Sequence, residues 1–194
     1  EGVCCIAVDL TGHGNSASPS ESVRYVMKEQ LLDLHHLFLS LKVSDFTLIG
    51  YSMGGRIALA YALAYPDQVR KLILESASPG LKLAEERQLR IDADEKLADR
   101  IDKDGLESFI DFWQDIPLFD SQKKLPEQKR KEIRRERLQQ SSHGLANSLR
   151  GIGTGRQPSY WPSLDRLKMP VTLITGEHDQ KFNQIARQMR KNIE

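Results

Sequence analysis

Cysteine is nearly missing from this sequence: its 194 residues hold two, Cys4 and Cys5, side by side. Adjacent thiols build neither a disulfide framework nor a four-ligand zinc site, and they fit a reducing compartment, so a cytoplasmic location is expected. Long apolar runs are missing too. None approaches the roughly 20 residues a membrane helix needs, which excludes a helical membrane span. Nothing at the start resembles a secretory leader. Charge of one sign is also lacking, since 28 Lys+Arg against 27 Asp+Glu leave a formal net charge of +1. That balance offers no bulk electrostatic case for nucleic acid or an anionic membrane as partner. The chain opens on Glu1 rather than Met, directly before an apolar run, and reads as an excerpt of a longer protein.

What is present is an alternation of short apolar, β-branched runs with helical patterns. Residues 3–8, 46–49, 71–75 and 171–175 read as strands, the first buried on both faces. Residues 23–41, 56–65 and 184–193 carry helical spacing, the second stopped by Pro66. This order predicts an α/β fold with a mostly parallel sheet flanked by helices. Between Ser78 and Pro170 the alternation stops, and the charged, helix-prone stretches 83–101, 105–114 and 125–140 take over. The expected organisation is a core at 1–79, an inserted helical cap at 80–165 and a second part of the core at 166–194.

The strongest chemical signal is Gly50-Tyr51-Ser52-Met53-Gly54, between a predicted strand and a predicted helix. This is G-x-S-x-G in the setting that makes it a nucleophile elbow, the mark of the α/β-hydrolase fold. So tight a turn strains the serine backbone, and glycines on either side let neighbouring backbone approach. Ser52 Oγ then stands over a helix N-terminus, where the Met53 amide can help hold a developing oxyanion. Asp179 follows the strand at 171–175 and is the expected acid of a triad, in the order Ser then Asp. The third member is missing, for no His lies between Asp179 and Glu194. His13 reads as a turn residue, His35 and His36 as helix residues, His143 as a loop residue, and His178 is tied to the acid's own loop. Arg56, one turn beyond Ser52, opposes the helix dipole at a cost of about 0.3–1 kcal/mol. A bound carboxylate would offset that cost, and so would solvent.

Other features carry less. The basic run at 129–137 is interleaved with Glu132 and Glu136 and lacks aromatics, so it reads as a solvated helix face and not a nucleic-acid site. The glycines at 151–155 lack a phosphate loop's Lys-Ser/Thr ending. Glu177, His178 and Asp179 are adjacent, and adjacent side chains do not converge easily on one metal ion. Neither a metal nor an organic cofactor is expected.

Beyond the elbow, several stretches are more particular: Ser78-Pro79-Gly80-Leu81, Gly153-Thr154-Gly155-Arg156-Gln157-Pro158-Ser159 and Gly176-Glu177-His178-Asp179-Gln180-Lys181-Phe182. Together with Gly50 to Arg56 they resemble the MenH family, the 2-succinyl-6-hydroxy-2,4-cyclohexadiene-1-carboxylate synthases of menaquinone biosynthesis. The resemblance covers essentially the whole chain. It implies a lyase on a hydrolase scaffold, in which the triad serine acts as a base toward carbon and pyruvate is eliminated. The partner it implies is a small polycarboxylate, bound by Arg56, Arg90 and Arg137 with the aromatics Tyr51 and Trp113. Arg87 rivals Arg90, and Arg134 or Arg135 rivals Arg137 if the register slips. The family's histidine and its upstream oxyanion loop have no counterpart in this sequence. Two other readings stay open: a serine esterase or C–C bond hydrolase of the same fold, and a non-catalytic module recognising an anionic partner.

Overall fold

The computed structural model describes residues 2–193. Among them, three parallel strands form one sheet in the order β1-β2-β3: β1 (Phe46–Tyr51), β2 (Val69–Glu75) and β3 (Val171–Ile174). Each has an apolar centre that includes β-branched residues, as strands favour, although Ile49 of β1 is 67% exposed. Tyr51, Glu75 and Ile174 lie in one row at the carboxyl ends of the strands.

The chain groups into two compact units. One combines the residues up to Tyr25 with Ile91–Gly153, and the other combines Val26–Arg90 with the residues from Thr154 on. Compactness therefore groups the chain differently from the alternation of elements, which marks off 1–79, 80–165 and 166–194.

The second of these units carries the sheet, with helices α1 (Met27–Ser40) and α2 (Ser52–Ala64). In α2, alanines at 58, 60 and 62 favour the helix and let it lie close on the strands, burying Ile57, Leu59 and Tyr61 almost completely. Tyr65, held out of helical geometry by the proline after it, ends the helix. An aromatic cluster closes the far end of the sheet. Phe38 of α1 meets Tyr61 edge-on at 5.4 Å and Phe46, the first residue of β1, at 4.8 Å. His35 stacks on Tyr65 at 4.0 Å.

The other unit is helical: most of α3 (Ala84–Trp113), then α4 (Glu127–Leu138) and α5 (Ser142–Ile152). Its core is small, with Ala98, Ile101, Phe109, Ile110 and Ala146 buried and Trp113, Leu138 and Leu149 packed against them. Charge does the rest of the fastening. Arg150 of α5 reaches Glu95 at 3.2 Å, Asp99 at 2.7 Å and Asp102 at 2.8 Å, all on α3. α3 is broken at Gly105, whose φ of 82° and ψ of 166° are not helical.

Several expectations need correction. Residues 3–8 form no strand and are mostly exposed. An apolar run becomes a strand only when a neighbour takes its backbone hydrogen bonds, and no strand of the described sheet pairs with this one. The helix expected at 56–65 begins at Ser52 itself, and α6 (Gln180–Arg190) begins just after Asp179 rather than at residue 184. Residues 23–41 split into a 3-10 turn, Ser22–Tyr25, and α1. His143 is not in a loop: it lies in the first turn of α5, which Ser141 caps by accepting from the Gly144 amide at 3.0 Å. The glycines at 151–153 end that helix. No described helix is long and apolar enough to cross a membrane.

Candidate active site

The sheet-bearing unit holds Tyr51, Ser52, Met53, Arg56, Arg90 and Asp179. Ser52 has a φ of 50°, the strained left-handed geometry expected of an elbow, and it is exposed where β1 turns into α2. The glycines that make this turn possible are not quite the expected pair. A Cβ on Gly50 would lie 2.5 Å from the Gly54 carbonyl oxygen, and one on Gly55 would lie 2.5 Å from the Ala77 Cβ. One on Gly54 would meet nothing within 4 Å. Gly50 and Gly55 are thus the sterically required positions, because the first turn of α2 is pressed back onto the end of β1 and onto the segment after β2.

Asp179 leaves the sheet two strands away from Ser52, about 10 Å across at the usual strand spacing. Its side chain caps α6, with Oδ1 accepting from the Phe182 amide at 3.0 Å. Asn183, one turn into α6, braces the same loop. Its Nδ2 donates to the carbonyls of Gly176 and Glu177, each at 3.1 Å, and its Oδ1 accepts from Thr175 Oγ1 at 2.5 Å. The acid is therefore fixed by local contacts alone. His178 is exposed beside it.

Arg56 is not the surface residue that its charge alone would suggest. It is 9% exposed, and its Nη1 donates to Gln157 Oε1 at 2.9 Å. Gln157, 1% exposed, donates in turn from Nε2 to the Ser78 carbonyl at 3.4 Å. Tyr51 is 66% exposed on the row where the strands end. Arg90 is exposed on α3, while its rival Arg87 is committed to the backbone, with Nη1 on the carbonyls of Leu81 and Lys82 at 3.3 and 3.2 Å.

Trp113 and Arg137 belong to the helical unit. Trp113 stacks on Phe109 at 5.5 Å and meets Phe119 edge-on at 6.0 Å, which makes it part of that unit's apolar cluster. Arg137 donates to Gln122 Oε1 at 3.0 Å and lies 4.6 Å over the Phe119 ring. Among the described residues no carboxylate pairs with it, and burial pushes its pKa down. It borders a cavity of about 350 Å³ with Gln122, Arg130 and Arg134. Arg134 is already engaged by Glu107 at 2.9 Å and Asp111 at 3.0 Å. Of the two, Arg137 is the cation better placed for an outside anion.

The same unit orders the loop that follows residues 3–8. Asp9 Oδ2 accepts from the Asn15 amide at 3.0 Å, and Ser16 Oγ donates to the Asp9 carbonyl at 2.6 Å. His13 sits in this turn as expected, and burial holds its imidazole below the usual histidine range. No group of three or more His, Cys, Asp or Glu that could hold a metal occurs among the described residues.

Reading the sequence missed Gln157 and Asn183. Asn183 had a local signal, a short amide one turn after a helix cap. Gln157 stood inside a stretch that carries the family resemblance, but its role was not readable there, since the arginine it holds is 101 residues away.

Residues 1–194 match the model of the alpha/beta hydrolase fold family. A Bacillus subtilis (strain 168) protein, provisionally named a 2-succinyl-6-hydroxy-2,4-cyclohexadiene-1-carboxylate synthase, is 48% identical over 188 residues, covering 97% of this chain and 69% of that protein. The protein of that name from Photorhabdus laumondii is 33% identical over 184 residues, covering 94% of this chain and 64% of its own length. Among solved structures, MenH from S. aureus is 40% identical with a TM-score of 0.90, over 96% of this chain and 70% of that one. This chain thus spans about two thirds of each relative.

Proposed function

Because the chain belongs to the MenH family of α/β-hydrolase-fold proteins, we propose that the protein is a lyase of menaquinone biosynthesis. Its reaction is the elimination of pyruvate from 2-succinyl-5-enolpyruvyl-6-hydroxy-3-cyclohexene-1-carboxylate, which leaves 2-succinyl-6-hydroxy-2,4-cyclohexadiene-1-carboxylate. The observation that carries this reading is the pairing of the Ser52 elbow with a buried arginine one turn along the same helix. Ester hydrolysis calls for the first alone, whereas a polycarboxylate is matched by a guanidinium fork.

In this mechanism Ser52 Oγ takes a proton from the carbon next to a carbonyl. The electron pair left behind shifts the ring double bond to give the diene as the C–O bond to the enolpyruvyl group breaks, and that group leaves as an enolate that takes up a proton to become pyruvate. Ser52 must be kept basic for this, which is the part of a histidine oriented by Asp179. The Met53 amide, at the head of α2, holds the oxyanion of the enolate. Arg56 and Arg90 bind substrate carboxylates, with Tyr51 as an aromatic contact, and the resemblance assigns Arg137 and Trp113 to the same task. The exposed thiols Cys4 and Cys5 suit the cytoplasm.

The test is release of pyruvate by the full-length protein, followed through a coupled dehydrogenase. Stoichiometric pyruvate that disappears in Ser52→Ala is the expected result. If a phosphonate ester labels Ser52 while the folded enzyme releases no pyruvate, the hydrolase reading replaces this one.

A further inference from the structure

Gln157 lies in the Gly-rich stretch after α5, a segment the mechanism above does not use, and its side chain accepts a hydrogen bond from buried Arg56. A buried amide must satisfy both of its ends. Here Oε1 accepts from Arg56 Nη1 at 2.9 Å and Nε2 donates to the Ser78 carbonyl at 3.4 Å. The backbone that carries Gln157 is itself strapped down. The Tyr160 amide donates to the Pro79 carbonyl at 2.7 Å, and Trp161 Nε1 donates to the Gly80 carbonyl at 2.9 Å. Room for the amide is left by Gly80, at a φ of 100°, where a Cβ would lie 3.2 Å from Gln157 Nε2 and 2.9 Å from the Pro158 carbonyl oxygen.

We propose that Gln157 is a positioning residue that fixes the guanidinium plane of Arg56 and so selects which carboxylate geometry the enzyme accepts. The proposal rests on the reading of Arg56 as a carboxylate ligand. A guanidinium is planar, so tying down one Nη restricts the direction of the whole fork. The arginine is then held from both ends, by its Cα on α2 and by an amide anchored to the loop after β2. An amide suits this task better than a carboxylate would, because it orients the cation without neutralising it.

The experiment measures kcat and KM for pyruvate release by the full-length enzyme. Gln157→Met fills the same space but replaces the amide oxygen with a thioether, a much weaker acceptor. Its KM is expected to rise about 10- to 100-fold with a much smaller change in kcat, as for the loss of a hydrogen bond to a charged group. Gln157→Glu keeps the shape but neutralises Arg56, and its KM is expected to rise as well. It carries the test alone if the methionine variant does not fold. In an Arg56→Ala background, Gln157→Met is expected to cause no further loss in kcat/KM. If Arg56→Ala itself leaves KM unchanged, the carboxylate reading of Arg56 fails and this proposal with it. If Arg56→Ala raises KM while the Gln157 variants keep the wild-type value, Gln157 is packing only and the proposal alone is overturned. Losses that add in full to those of Arg56→Ala overturn it too, because Gln157 would then act by another route.

Discussion

Helices α2 and α4 are of nearly equal length and are built in opposite ways. Of the 13 residues of α2, the eight from Gly55 to Ala62 are buried, whereas none of the 12 residues of α4 is. The sheet-bearing unit is held by close apolar packing, and it is there that backbone strain is stored, at Ser52. Strain of this kind persists only where the surroundings over-determine it, and the crowding at Gly50 and Gly55 provides that. The helical unit has a small core and is fastened by ion pairs that salt screens. Chemistry that depends on one fixed oxygen belongs in the first kind of structure. Charge presented to an anion can be carried by the second.

The sharpest break between the two comes from chemistry. Ser52→Ala is expected to reduce kcat by ~10²–10⁴-fold with no loss of Tm, read from the coupled pyruvate assay and calorimetry. Packing should separate the units next. Leu59→Ala, at a fully buried position on α2, should cost about 2–5 kcal/mol in urea unfolding, while Ile133→Ala on α4 should cost about 1 kcal/mol or less. Arg150→Met removes the clasp between α5 and α3 and leaves three acidic side chains facing one another. Its cost should be about 1 kcal/mol at low ionic strength and should shrink in 1 M NaCl.

The smallest effect is one of pH. Burial lowers the His13 pKa from the ordinary 6.5, so the unfolded chain takes up the proton first. The stability His13 contributes is complete above that value and falls as the pH drops through it toward the folded-state pKa. His13→Asn should flatten the slope of Tm between pH 5 and 7, and an unchanged slope would assign it to other groups.

What the sequence revealed follows how local each cause is. Three strands were legible to within a few residues because an apolar β-branched run bounded by turn residues has few alternatives. Residues 3–8 have the same composition and form no strand, since strand formation also needs a neighbour. Helix α5 was invisible because His143 and the glycines at 151–155 read as loop. Gly144 and Gly151 sit in the helix where other backbone comes close: a Cβ on Gly151 would lie 2.8 Å from the Ser22 carbonyl oxygen. In the candidate site, Ser52 and Arg56 were legible from their spacing along one turn, and Asp179 from its place after a strand. The burial of Arg56 and its hold on Gln157 were not, since no local pattern encodes a contact made through the tertiary fold.

The 101-residue separation of Arg56 and Gln157 also bears on how the protein is made. On a ribosome adding ~5–20 residues per second, Arg56 waits about 5–20 s for its partner to be synthesised. Strand β2 waits as long for β3, with an open edge that can pair with other chains. Every residue of the helical unit is synthesised before the last part of the sheet-bearing unit, from Thr154 on. Released chains that end at residue 153 should therefore resist protease across the helical unit while remaining cleavable around α2.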